Sequence, residues 1–261
     1  MSNPKIALVQ MAYPSFSTPL ADHREKLGGF IEKAASKGAD IICFPETIYQ
    51  PPLPNECVDY IKGHIGPFCK KHKIWAVLGT VMEDNGLRNS AVVINRKGEV
   101  VGIYHKQHLL GGEKEYGLQA GGQPLIIDAD FGRIGVVICY DIFSARVISQ
   151  YEDQGVQLLL CPSNMVIPIP FMESRQRHLV DSIVDAISAQ LNCCFGIAMA
   201  YGKNLISETK IISPRETVGS LSAMEGLLIN ELQLDDLSVL PLLDMTEKEQ
   251  NELLSRLKGL K

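Results

Sequence analysis

The chain has no run of about twenty consecutive apolar residues, so nothing in it is long enough to cross a bilayer as a helix. It lacks a CxxC pair, which argues against a structural zinc site and leaves the expectation of no metal and no cofactor. It has no surplus of positive charge: 25 Lys and Arg against 30 Asp and Glu give a formal net charge of −5. Neither nucleic acid nor an anionic membrane is therefore expected as a partner. The opening Met1-Ser2-Asn3-Pro4-Lys5 runs straight into a strand-like segment, without the apolar stretch or small-residue cleavage site of a secretory signal. Internal repeats, low-complexity tracts and linkers are missing too. Residues 1–261 are expected to form one α/β domain.

What is present is ordinary for a soluble globular chain, with 46% hydrophobic and 21% charged residues. Seven cysteines, an odd number, fall mostly inside apolar runs. That pattern suits free thiols in a reducing compartment, the cytoplasm, better than a disulfide framework.

The order of elements predicts two β-α units, a run of strands, further β-α units and more strands. Ile74–Met82, Ser90–Asn95 and Glu99–His105 read as strands, the last two as a hairpin through Arg96-Lys97-Gly98. Ile142–Gln154 reads as a helix stopped by Gly155. A longer helix covers roughly Met172–Leu191, with Leu179, Ile183 and Ile187 on its apolar face. Mixed parallel and antiparallel pairing with helices outside fits a four-layer α-β-β-α sandwich better than a doubly wound sheet. An amphipathic tail helix is expected at about 244–261.

Three apolar strands end on chemistry-bearing residues: Glu46 after Cys43-Phe44-Pro45, Lys106 after His105, and Cys139 at the end of Arg133–Cys139. Beyond the carboxyl ends of strands is where open α/β sheets bind ligands. A thiol attacks only as thiolate, and a carboxylate within reach can take its proton and return it to a leaving amine. An ammonium would stabilise the thiolate and the oxyanion, beside the backbone N–H of Tyr140. Tyr49, Tyr140 and Asn164 are candidates for the substrate pocket. His105 and His108 flank Lys106, but alternation along a strand turns His105 away from any site holding Lys106.

Phe44-Pro45-Glu46-Thr47, His105-Lys106-Gln107-His108-Leu109 and Gly135–Asp141 resemble the three motifs of the nitrilase superfamily of carbon–nitrogen hydrolases. Gly38-Ala39-Asp40 and Asn89-Ser90-Ala91 also fall where that family has similar residues. The resemblance implies the α-β-β-α sandwich, with Glu46 as general base, Lys106 as oxyanion stabiliser and Cys139 as nucleophile. It further implies a second glutamate after the lysine, for which Glu113 is preferred to Glu115. It implies a homodimer or a higher homo-oligomer, with the tail helix either at the subunit interface or packed on its own domain. The expected substrate is a small linear amide, hydrolysed through a thioester with release of ammonia. Tyr140-Asp141 after the cysteine favours an amidase over a nitrilase. N-carbamoyl hydrolysis, nitrile hydrolysis and a catalytically silent ligand-binding protein are the alternatives.

Overall fold

The computed structural model describes residues 3–13, 20–49, 53–167 and 173–234. The tail helix expected at about 244–261 lies outside the described residues. In chain order, the first half contains β1 (Lys5–Ala12), α1 (Leu20–Ser36), β2 (Ile41–Cys43), α2 (Cys57–His64) and α3 (Gly66–His72). It continues with β3 (Trp75–Glu83), β4 (Leu87–Ile94), β5 (Val100–His105) and a short α4 (Gly111–Glu115). The second half contains β6 (Leu125–Ala129), β7 (Gly132–Val136), α5 (Ala145–Ile148), β8 (Leu158–Ser163) and α6 (Glu173–Leu191). The strands β9 (Cys194–Tyr201), β10 (Glu208–Ile212), β11 (Thr217–Ser222) and β12 (Gly226–Glu231) follow.

Strand order runs β5-β4-β3-β2-β1-β9-β8-β7-β6, with β12 on β1 and β10-β11 on β9. The two halves of that path meet only at the ends of β1 and β9, where Met11 pairs with Ala200 and Ala12 with Tyr201. Elsewhere they lie face to face. Side-chain parity along β1 shows why. Ile6 and Leu8 point into a core shared with Val136, Leu160 and Phe195 from the second half. Ala7, Val9 and Met11 point the other way, into a core with Leu27 and Ile31 of α1 and Cys57 and Ile61 of α2. On the far side, Val180, Val184 and Ile187 of α6 cover the second sheet. The layers are helix, sheet, sheet, helix, as the element order implied.

Strand direction then places the site. β1, β2 and β3 are parallel, and β5 shares their sense because β4 is antiparallel to both of its neighbours. β7, β8 and β9 are parallel to one another and, through β9, to β1. The carboxyl ends of β2, β5, β7 and β8 therefore open at one edge of the sandwich. Glu46, Lys106, Cys139 and Asn164 are the residues just past them.

Several local expectations need correction. β7 stops at Val136, and Cys139 begins a 3₁₀ turn, Cys139–Phe143, instead of ending the strand. The helix expected over Ile142–Gln154 is broken into that turn, the single helical turn α5 and a second 3₁₀ turn, Ser149–Tyr151. Extended Ser144 separates the first two pieces, and the Asp141 carboxylate reaches back to the Ile138 N–H, a local bond that competes with helix. On α6 the buried stripe is Val180, Val184, Ile187 and Ser188; Ile187 is buried as expected, but Val180 and Val184 take the places of Leu179 and Ile183, and Leu179 is 52% exposed. Both stripes have helical spacing, so periodicity could not choose between them. The glycine-rich segment Gly111–Gly122 contains α4, and β11 was not anticipated at all.

Candidate active site

Glu46 occupies a tight turn after β2, in which Thr47 takes a left-handed backbone (φ 48°). The turn is fastened on both sides to β3: Phe44 N–H donates to Val77 O, and Tyr49 N–H to Gly79 O. It fits only because residue 79 is glycine. A Cβ there would lie 2.3 Å from Pro45 O and 2.7 Å from the Glu46 Cα. The Tyr13 hydroxyl, at the end of β1, donates to the Glu46 carbonyl at 2.6 Å. Burial first, and then the Glu46 charge, push the Tyr13 pKa far up, so this phenol is a neutral donor.

The ladder β3-β4-β5 brings Lys106 to the carboxylate. Lys106 N–H donates to Asn89 O as the β4-β5 pairing runs out, which sets the two side chains together. The Lys106 Nζ lies 2.8 Å from Glu46 Oε1 and 2.9 Å from Glu113 Oε2. Asn89 Nδ2 bridges the same two carboxylates, at 2.7 Å from each Oε1. Glu113 is delivered by α4 and its second oxygen accepts from Leu110 N–H. Glu115 is exposed. Of the two glutamates considered, the structure brings Glu113 to Lys106.

Lys106 is 2% exposed. Burial alone would push its pKa down, but Glu46, Cys139 and Glu113 more than reverse this, so the group is held as ammonium. Glu46, 4% exposed, is satisfied on both oxygens, because Asn164 N–H, just past β8, donates to Oε2 at 2.8 Å.

Cys139 completes the group in a strained left-handed conformation (φ 47°), which orders a non-glycine residue only where surroundings enforce it. Those surroundings are the four hydrogen bonds of Asp141. Its Oδ1 accepts from Gln107 N–H at 3.1 Å and His108 N–H at 2.7 Å. Its Oδ2 accepts from Ile138 N–H at 2.9 Å and the Tyr104 hydroxyl at 2.7 Å. One fully buried carboxylate thus ties the segment after Lys106 to the residue before Cys139. The Cys139 thiol is pushed well up by burial and then by the Glu46 charge; Lys106 and the Asn164 N–H oppose this without overcoming it. The Asn164 amide therefore faces both Glu46 Oε2 and the thiol.

The candidate pocket residues separate. Tyr140 lies near Cys139 and Lys106, and both act on its hydroxyl. Asn164 contributes its backbone amide, and its side-chain oxygen is buried without a hydrogen-bond partner. Tyr49 is not brought to the group. Its side chain packs in the core beneath α1 and α2, with its hydroxyl 3.2 Å from His64 Nδ1. His105 turns away as alternation requires, onto Ser90 and Asp84, and His108 is exposed. Asn89 and Asp141 were legible only as members of matched segments; nothing in their spacing announced which atoms they would hold.

Residues 5–241 match the family described as carbon-nitrogen hydrolase. The chain belongs to that family. It is 31% identical over 180 residues to a chloroplastic omega-amidase of Arabidopsis thaliana, covering 60% of this chain and 48% of that protein. A human omega-amidase is 26% identical over 179 residues, 64% of its length, so these matches span only part of the relatives. A nitrilase of Pyrococcus abyssi is 26% identical over 251 residues, covering 90% of this chain and 94% of the other. The crystal structure of an amidase from Nesterenkonia sp. superposes with a TM-score of 0.75 at 18% identity, covering 97% of both chains. The chain therefore shares the fold of that amidase.

Proposed function

We propose that this carbon-nitrogen hydrolase is a thiol amidase that cleaves the C–N bond of a small linear amide and releases ammonia. The observation that carries the reading is the Lys106 ammonium held between Glu46 and Glu113 beside a buried cysteine. Cys139 Sγ attacks the carbonyl carbon while its proton passes to Glu46, most directly to Oε2, the oxygen that shares the Asn164 amide with the thiol. The carbonyl π pair moves onto oxygen. Two N–H bonds of the Lys106 ammonium are engaged by the carboxylates; the third, with Tyr140 N–H, meets the oxyanion. Collapse expels the nitrogen, which takes the proton from Glu46, and leaves a thioester. Glu46 then deprotonates the water that attacks the thioester carbon and returns that proton to Cys139 Sγ as the C–S bond breaks and the acid leaves. Glu113 keeps Lys106 paired while Glu46 is protonated.

A general base, a charged oxyanion partner and a nucleophile converging in one place have no use in a silent binding protein, which is why the enzyme reading is preferred. The omega-amidases of Arabidopsis and human and a butyramide complex of the Nesterenkonia amidase support an amide substrate. Residues 1–261 are taken as one catalytic domain, because Glu46 and Lys106 come from one half of the path and Cys139 and Asn164 from the other. All seven cysteines are free thiols, which suits the reducing cytoplasm. Self-association as a homodimer belongs to the same reading. Leu110 and Tyr116, 39% and 84% exposed around α4, are apolar surface that a second copy would cover. Light scattering is expected to return twice the 28.7 kDa chain mass, and a monomer mass removes this part.

The chemical test is ammonia release from a panel of small amides, carbamoyl compounds and nitriles, with intact mass spectrometry for an acyl adduct. Cys139→Ala is expected to lose both turnover and adduct. Ammonia release by that variant at the parent rate would exclude the mechanism.

A further inference from the structure

Beside the reactive group lies a cavity of about 300 Å³. Tyr140 and Met165, which follow Cys139 and Asn164 directly in the chain, line it together with Phe143, Val180 and Ile206. Leu179 stands at its exposed rim. Among the described residues lining it none carries a charge. Gln176 and the hydroxyl of Tyr140 are the exceptions to its apolar character, and the Gln176 side-chain oxygen is buried without a hydrogen-bond partner. Of the cations close by in the sequence, Arg146 and Arg175 are exposed and do not line the cavity, and two others are committed elsewhere. Arg177 is paired with Glu173 at 2.7 Å and Glu208 at 3.5 Å, and Lys210 with Asp181 and Glu208.

We infer that this cavity receives the acyl side of the substrate, and that the acyl group is uncharged and mainly apolar, with Gln176 as its unpaired polar contact. The inference rests on the amidase reading and deepens it. A carboxylate placed here would shed its hydration shell with no described cation to replace it, which is strongly unfavourable. A branched alkyl chain would gain in proportion to the area it buries. A donor on the ligand would relieve the unpaired Gln176 oxygen. The volume lies at the lower end of small-molecule sites, which limits the acyl group to a few carbons.

The test uses an isosteric pair, 4-methylpentanamide and succinamate, in which an isopropyl group replaces a carboxylate. Binding is measured by calorimetry on Cys139→Ala, where turnover cannot interfere, and kcat/KM on the parent enzyme. Expected is binding of 4-methylpentanamide at least tenfold tighter, and kcat/KM at least a hundredfold higher, than for succinamate. Leu179→Trp, which fills the cavity from its rim, is expected to weaken 4-methylpentanamide at least tenfold. Equal or tighter binding of succinamate, binding of neither compound, or indifference of 4-methylpentanamide to Leu179→Trp would overturn the inference. Selective binding without ammonia release from the parent enzyme would instead overturn the amidase reading and leave the cavity's preference standing.

Discussion

Glu46→Gln is expected to lower kcat/KM by about 10³, the middle of the range for losing a general acid–base group, while bringing the Cys139 thiol pKa down. The opposite signs follow from one charge count. Two carboxylates and one ammonium leave the group with a net charge of −1, and a thiolate would raise that to −2. Burial is the larger reason that Cys139 stays protonated, and Glu46 is the next. Removing the Glu46 charge removes the second cause and leaves the first. If the resting thiolate limited the reaction, an easier ionisation would speed it. If Glu46 takes the proton during attack, the rate collapses although the thiol has become more acidic. Thiolate absorbance near 240 nm, recorded as the difference from Cys139→Ala, reads the ionisation. The subtraction is needed even though the other buried thiols are also pushed up, Cys161 to about 12 and Cys194 to about 11. In the parent protein no Cys139 step is expected below pH 9, the ordinary thiol value. Glu46→Gln moves the step downward. Retention of activity within tenfold would remove Glu46 from the proton path.

How much of this was legible before folding depends on the range of each signal. The apolar runs of β1, β2, β3 and β8 and the hairpin β4-β5 were readable because burial on two faces, or alternation on one, is written into consecutive residues. Glu46, Lys106 and Cys139 were readable because each follows such a run, and their convergence follows from strand direction. Local competition was not readable in the same way. The sequence from Ile142 to Gln154 has helical composition, yet a carboxylate at Asp141 finds the Ile138 N–H and the chain turns instead. Leu179 and Val180 have equal claims to the buried stripe of α6, and only the sheet beneath decides. Tyr49 sits three residues beyond Glu46, but the left-handed Thr47 turns the chain so that its ring faces the helical side of the sheet. Gly79 has no motif around it at all. Its importance lies in a backbone that passes within contact distance, which no single stretch of sequence contains.

Asp141→Asn is expected to carry the largest stability loss of any isosteric substitution in the site, with a fall in kcat alongside it. The carboxylate accepts three backbone N–H bonds and one hydroxyl in a fully buried position. An amide has one oxygen. If its NH₂ replaces Oδ1, the N–H groups of Gln107 and His108 lose their shared acceptor. If it replaces Oδ2, the Tyr104 hydroxyl can rotate to accept, but Ile138 N–H is left facing a donor. The second arrangement is the cheaper, and one orphaned buried donor costs about 1–3 kcal/mol. Weakening of the remaining charge-assisted bonds brings the total to about 3 kcal/mol, which lowers Tm by roughly 6–12 °C in a domain of this size. The catalytic effect comes through position. Ile138 N–H fixes the residue before the strained Cys139, and the Gln107 and His108 bonds fix the chain after Lys106, so nucleophile and ammonium lose their common anchor. Loss should therefore fall on kcat, with KM little changed, because the cavity walls stay in place. Tyr104→Phe is the control: it removes only the hydroxyl donor, leaves every backbone N–H satisfied, and is expected to cost about 1 kcal/mol with near-parent kcat. Equal losses of kcat in the two variants would show that the Tyr104 contact, and not the backbone anchor, holds the site together.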